Sequence, residues 1–288
     1  MDSIKLKARA KVNLGLDVIR RREDGYHEVR MIMQSIGIYD VVTMRKINDN
    51  SIILKTNVSY LPTNENNLIY KAIKLLFDEF DIKQGVVVEL EKYIPVAAGM
   101  AGGSSDAAAA LMGINKLFDL ELSDEELMLR GVKIGADVPF CIMRGTVLAE
   151  GIGEILTRLP NFDCNHILVA KPAINVSTKF VYENLKLGEA TKHPDIDGMI
   201  EDISNKDIYG MCSKMGNVLE DVTINEYKEI EHIKKRMISL GAINAMMSGS
   251  GPTVFGIFPD FKVAGKAYNK LCEEKIAKNV YLTKTFQV

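Results

Sequence analysis

Two polar residues sit in the polar register of an alternating segment near the N-terminus. Lys11 and Asn13 stand two positions apart, so on a strand they share a face with Cα atoms about 6.6–6.8 Å apart. An ammonium beside a carboxamide can hold an anion or orient a hydroxyl. A solvated polar face would use the same residues, and Lys5 and Lys7 read that way. Asp137 lies in Gly135-Ala136-Asp137-Val138-Pro139-Phe140, a carboxylate among apolar neighbours just past a helix end. A local turn would also suit it, but a buried aspartate needs a partner, and a lysine would serve.

The passage Pro95, Val96, Ala97, Ala98, Gly99, Met100, Ala101, Gly102, Gly103, Ser104, Ser105 joins a β-branched strand to an alanine-rich helix. Small side chains let backbone N–H groups approach a ligand closely. The helix behind them offers unpaired N–H groups and about half a positive charge. Together these make an anion site suited to a polyphosphate. Ser104 and Ser105 add hydroxyls that could bond phosphate or sit near magnesium. A tight turn with serine as N-cap remains the alternative. No G-x-x-x-x-G-K-[ST] is present, and no G-x-G-x-x-G follows the strand. A second loop, Met247-Ser248-Gly249-Ser250-Gly251-Pro252, does not match G-x-S-x-G. Alone it is a glycine-rich hairpin. Paired with the first, it reads as a flexible loop closing over phosphates.

Regular elements must carry these groups. Ile4, Leu6, Ala8, Ala10, Val12, Leu14, Leu16 and Val18 alternate with polar or small residues, which predicts one long half-buried strand. An Asp24-Gly25 turn leads to a strand from Tyr26 towards Ile38, with further strands at 41–44, 51–55 and 86–90. A helix is predicted over 68–80, capped by Asn66 or Asn67. Another opens at Ser104 and reaches about Phe118, and a third, with Ser123 and Glu126 as a capping box, ends near Gly135. Strands at 146–149 and 154–159 precede a connector from Pro160. Beyond it, strand 167–171, helix 177–185, helix 226–240, strands 243–247 and 253–258, helix 263–272 and strand 280–286 give the β-α-β-β-α-β order of a ferredoxin-like unit. Domains are therefore expected at 1–159 and 160–288.

Composition excludes several classes. The 288 residues are 47% hydrophobic and 26% charged, which is a globular balance rather than a disordered one. With 36 Lys+Arg against 38 Asp+Glu, the net charge is −2, so no basic field advertises a nucleic-acid partner. No apolar run approaches the roughly 18 residues of a membrane span, and the N-terminus lacks a signal-peptide core. Four scattered cysteines and four unpaired histidines argue against a disulfide framework or catalytic zinc. A cytoplasmic protein is expected. Monomer and homodimer both remain open.

These residues in this order resemble the GHMP kinase family. The similarity rests on Ala10-Lys11-Val12-Asn13-Leu14, Asp24-Gly25-Tyr26-His27, Pro95 to Ala107, Gly135 to Phe140 and Ser248 to Gly251. It implies an α+β, two-domain GHMP kinase fold, with an N-terminal ribosomal-protein-S5-domain-2-like domain and a C-terminal ferredoxin-like α/β domain. The Lys-x-Asn, Gly-Tyr-His and Gly-Ala-Asp-Val-Pro elements point to the branch that phosphorylates cytidine-diphosphate methylerythritol in the non-mevalonate isoprenoid route. The reaction implied is transfer of the γ-phosphoryl of ATP, with Mg2+, to the 2-hydroxyl of that small molecule. By the same resemblance Asp137 is the catalytic base and Lys11 its charged partner. Asn13 orients the substrate, His27 bonds cytosine, and Tyr26 and Tyr182 flank it, with Thr178 on the same segment. Pro95 to Ser105 would hold the phosphates, and Asn67, Lys92 and Asp106 lie on the adenosine side.

Three departures from the family pattern stand out. Ala97, Ala98 and Ala101 occupy frequent glycine positions, tolerable if φ stays negative. Asp106 replaces an asparagine found in some relatives, and Lys179 replaces a common proline. Relatives acting on mevalonate, homoserine or a sugar would not need Tyr26, His27 and Tyr182. A silent nucleotide- or RNA-binding module fits the near-neutral charge poorly and lacks an aromatic platform.

Overall fold

Alternating apolar residues produce one long strand, β1 (Ser3–Arg21), which pairs with β2 (His27–Ile47). The sequence predicts two strands where β2 is continuous. No turn dipeptide interrupts it, and Asp40 is buried within it, accepting the backbone N–H of Tyr93 and, at 2.8 Å, of Ile94. The computed structural model describes residues 1–189 and 191–288.

The chain continues through β3 (Ile52–Thr56), α1 (Leu68–Glu79), β4 (Gly85–Glu91), α2 (Gly102–Leu117), α3 (Asp124–Gly131) and α4 (Val138–Met143). Next come β5 (Thr146–Glu150), β6 (Ile155–Arg158), β7 (Ile167–Lys171), α5 (Thr178–Asn184), α6 (Ile196–Ser204) and α7 (Ile208–Lys214). The chain closes with α8 (Glu220–Glu226), α9 (Lys228–Ser239), β8 (Asn244–Met247), β9 (Val254–Ile257), α10 (Phe261–Glu274) and β10 (Asn279–Thr283).

Contacts divide the chain into two units, and neither is contiguous in sequence. The first comprises residues 1–10, 38–96 and 101–143; the second comprises 11–37, 97–100 and 144–288. The junction expected at 159/160 falls inside the second, between β6 and β7.

In the first unit β4 pairs antiparallel with β2 (Val42 opposite Leu90) and parallel with β3 (Leu54 opposite Val88). Ile69, Ala72, Ile73 and Leu76 of α1 are fully buried, and so are Ala107, Ala110, Leu111 and Ile114 of α2 within rounding. Burying each large aliphatic side chain contributes about 1.5–3 kcal/mol. Gly113 permits the close approach of α2 to the strands, since a β-carbon there would stand 1.8 Å from Met44 Cε. α3 stops at Gly131, earlier than expected, and Val132 to Ala136 form turns. Asp137 therefore does not follow a helix end: it immediately precedes α4, its carbonyl accepting from Cys141 N at 3.1 Å.

The second unit pairs β2 with β5 (Ile32 opposite Leu148) and β5 with β6. It also holds a four-stranded antiparallel sheet in the order β10-β7-β9-β8. Helices α9 and α10 pack on that sheet, which gives the expected β-α-β-β-α-β unit. The helix predicted over 226–240 is α9, which extended Tyr227 (φ −124°, ψ 90°) separates from the short α8 before it.

The local conformation of the Pro95–Ser105 passage departs from expectation. Ala97 (φ 51°) and Ala101 (φ 54°) adopt the left-handed conformation, as does Gly99 (φ 71°). Ala101 is also the N-cap of α2 and offers no side-chain bond to it. Left-handed alanine costs about 1–2 kcal/mol, whereas glycine there loses only about 0.4–1 kcal/mol of chain entropy. Ala101→Gly is accordingly expected to raise unfolding stability by about 0.5–1 kcal/mol, read from denaturant midpoints; a lower midpoint would contradict the assignment of strain.

Candidate active site

In the first unit the start of α2 is the centre of a buried polar cluster. Lys92 reaches between two carboxylates, Asp40 and, at 2.7 Å, Asp106; its side chain is 5% exposed. One ammonium and two carboxylates leave an excess negative charge with little water to solvate it. Burial pushes the Asp106 carboxyl well above its usual range, opposed by Lys92 and reinforced by repulsion from Asp40. Burial alone would lower Lys92, but Asp106 and Asp40 outweigh it and raise its pKa. Asp40 accepts backbone N–H groups from Tyr93 and Ile94, whereas Asp106 Oδ1 has no hydrogen-bond partner. Asp40 went unnoticed in the sequence because it lies inside an apolar strand with no motif around it.

Asn67 caps α1, accepting from Ile69 N at 2.9 Å and donating to the Pro62 carbonyl at 2.8 Å. The two serines differ. Ser105 is 2% exposed and donates to the Arg9 carbonyl at 2.6 Å, fastening α2 to β1. Ser104 is half-buried, and its Oγ would stand 3.8 Å from a β-carbon on Gly135. The helix start and the turn leading into Asp137 are thus neighbours.

In the second unit the polar face of β1 is buried: Lys11 is 4% and Asn13 0% exposed. Lys11 Nζ donates to Asn13 Oδ1 at 2.7 Å, and Asn13 Nδ2 meets Met31 Sδ at 3.2 Å. Thioether sulfur is a weak acceptor, so the Asn13 amide keeps donor capacity for a ligand oxygen. Lys5 and Lys7 are exposed, as a solvated face requires.

The glycine turn after β8 is buried from Ser248 to Pro252 and firmly bonded, where the sequence reads as a flexible loop. Ser248 Oγ donates to the Gly99 carbonyl at 2.9 Å, and Lys11 N donates to the Met100 carbonyl at 3.2 Å. A β-carbon on Gly249 would stand 3.5 Å from Lys11 Nζ and 3.6 Å from Asn13 Oδ1. Ser250 Oγ lies 2.8 Å from Thr178 Oγ1, at the start of α5. One turn is thereby bonded to Gly99 and Thr178 and lies beside Lys11 and Asn13.

Farther along the same unit, the rings of His27 and Tyr182 meet at 5.1 Å with a 41° tilt. Burial, then the nearby Arg21 charge, lowers the His27 pKa, which favours a neutral imidazole with one donor and one acceptor. Tyr26 is 61% exposed. Among the described residues no group of three or more His, Cys, Asp and Glu side chains forms a metal cluster. No described helix is long and apolar enough to cross a membrane.

Comparison with known proteins agrees with this arrangement of elements. The model for GHMP kinases N terminal domain matches residues 67–145, and that for GHMP kinases C terminal matches 189–277. The chain belongs to the GHMP kinase family. A protein of Lachnospira eligens named 4-diphosphocytidyl-2-C-methyl-D-erythritol kinase is 60% identical over 286 residues, 99% of each chain. A protein of the same name from Clostridium perfringens is 49% identical, covering 98% of each. The crystal structure of a 4-(cytidine 5'-diphospho)-2C-methyl-D-erythritol kinase superposes with TM-score 0.85 at 29% identity, over 99% of this chain and 100% of that one. Homoserine kinase from Cytophaga hutchinsonii, at TM-score 0.78 and 19% identity over 100% of this chain and 96% of that one, shares the fold.

The buried triad yields a pH prediction for this GHMP kinase. Asp106 has a folded pKa above its unfolded one, so its penalty grows as pH rises from about 4 through the folded value. Asp106→Asn keeps an acceptor for Lys92 and removes the excess charge. Its unfolding midpoint is expected to match wild type at about pH 4 and to exceed it at about pH 8. A variant less stable than wild type at the higher pH would contradict the raised Asp106 pKa.

Proposed function

We propose that this chain transfers the γ-phosphoryl group of ATP to the 2-hydroxyl of cytidine-diphosphate methylerythritol, serving isoprenoid synthesis in the cytoplasm. The observation that carries the choice of acceptor is the His27–Tyr182 ring pair, together with relatives of that name at up to 60% identity. A pyrimidine offers π-faces and ring-edge hydrogen bonds, which an aromatic ring and a neutral imidazole complement. Mevalonate and homoserine have no such group.

The 2-hydroxyl belongs to a carbon that also bears a methyl group, so the nucleophile is a hindered tertiary alcohol. Such an alcohol needs its proton removed and its oxygen aimed. Asp137, ahead of α4, takes the proton. Lys11 supplies positive charge to the reacting oxygens, and Asn13, held between Lys11 and Met31, donates its remaining N–H to the acceptor. Tyr26, His27, Thr178 and Tyr182 bind the acceptor. Backbone N–H groups of residues 95–105 hold the phosphates, with Asn67, Lys92 and Asp106 towards adenosine. Phosphoryl transfer passes through a loose transition state, so most of the catalysis is positioning and electrostatics. Magnesium, when bound with ATP, supplies neutralising charge at the phosphates. Ser104 is the hydroxyl fitted to meet it, because Ser105 is committed to Arg9. Residues 1–159 are proposed as the N-terminal ATP-binding GHMP kinase domain and residues 160–288 as the C-terminal GHMP kinase domain.

The reading is tested with ATP-consumption assays on cytidine-diphosphate methylerythritol, mevalonate and homoserine. Turnover is expected on the first alone, and Asp137→Asn is expected to lose about 10²-fold or more in kcat while still binding ATP. Turnover on mevalonate or homoserine instead would overturn the choice of acceptor, and full activity in Asp137→Asn would remove the base.

A further inference from the structure

The glycine turn that is bonded to Gly99 and Thr178 and lies beside Lys11 and Asn13 is itself held from behind by a segment with no role assigned so far. Asn217 is 7% exposed and uses its whole carboxamide. Nδ2 donates to the carbonyls of Met247 (2.9 Å) and Gly249 (2.8 Å), while Oδ1 accepts from Leu219 N at 3.0 Å. Thr223, fully buried, places its hydroxyl 3.1 Å from the Leu219 carbonyl and 3.3 Å from that of Ser250. Two buried carbonyls of the turn thus depend on one side-chain amide, and carbonyls left without donors would move to find them.

The clamp is referenced to the strand that carries Lys11 and Asn13. Leu16 N donates to the Gly216 carbonyl at 2.9 Å, and Val218 N donates to the Leu16 carbonyl at 3.0 Å, a short parallel bridge around Asn217. From the turn, Ser248 Oγ carries the linkage to Gly99, and Met100 returns it to Lys11 N. The bonds therefore close a loop: β1, Asn217, the glycine turn, residues 99–100, and β1 again.

We infer that Asn217 is a positioning residue for phosphoryl transfer, fixing the Gly249 peptide against Lys11 and Asn13 and, through Ser248, the backbone of residues 99–100. The role rests on the phosphoryl-transfer reading above. No other side chain is bonded to both Met247 and Gly249 carbonyls among the described contacts. Aspartate at this position would keep the size and the acceptor for Leu219 N, but would turn an oxygen towards two carbonyl oxygens.

The test compares Asn217→Ala, Asn217→Asp and Ser248→Ala with wild type by amide hydrogen exchange in the ligand-free protein and by steady-state kinetics. In either Asn217 variant, exchange at the Lys11 and Gly251 amides is expected to accelerate about ten-fold or more, with α10 unchanged. The kinetic loss falls on kcat, by about ten-fold or more, because small displacements at the reacting end are costly. Adding Ser248→Ala to Asn217→Asp costs little further, since both lie on one linkage. Unchanged exchange at Lys11, a loss confined to acceptor KM, or fully additive kcat losses would each overturn the role. If Asn217→Ala does not fold, the isosteric Asn217→Asp carries the same test. Wild-type protein that phosphorylates no acceptor would defeat the underlying reading, whereas the exchange measurement tests the clamp without any acceptor.

Discussion

The second unit depends on a close approach of two backbones. Gly99 and the turn Ser248–Gly251 meet so tightly that a β-carbon on Gly99 would lie 2.3 Å from the Ser248 carbonyl oxygen and 2.9 Å from that of Gly251. No side chain fits that gap. Gly99, Gly249 and Gly251 also have φ values of 71°, 57° and 90°, so glycine is required for conformation as well as space. Once the gap is closed, the bonds from Ser248 to Gly99 and from Ser250 to Thr178 follow at ordinary length. Lys11 and Asn13 then face a backbone wall rather than water, which keeps their short mutual bond desolvated and directional.

Burial of charge follows different rules in the two units. Lys11 is buried beside a neutral carboxamide that orients it. Lys92 is buried with a surplus carboxylate, and burial beside that surplus raises the Asp106 pKa. Lys92 thereby joins β2, through Asp40, to α2, through Asp106.

Much of this was legible in the sequence, for definable reasons. The alternation of β1, the caps at Asn67 and Ser123, and the β-α-β-β-α-β order are local patterns, and local patterns survive folding. The motifs around Lys11, His27 and Ser248 were visible because they combine unusual residue types at short spacing. Other features were hidden by their long range. Asp40 and Asn217 sit in segments without motif character, and their partners lie 52 and 30 residues away. The left-handed Ala97 and Ala101 contradict a steric preference, so composition pointed the wrong way. The placement of Asp137 turned on a helix that ended four residues early and a six-residue helix too short to announce itself.

The proposed reaction turns on one chemical event, the attack of a hindered tertiary oxygen on phosphorus. Phosphorus–carbon correlation spectroscopy on the product made from ATP and cytidine-diphosphate methylerythritol locates that event directly. Coupling of the new phosphorus to the methyl-bearing quaternary carbon is the predicted result. Coupling to a carbon bearing hydrogen, or a lengthened phosphate chain in place of a new ester, would contradict it.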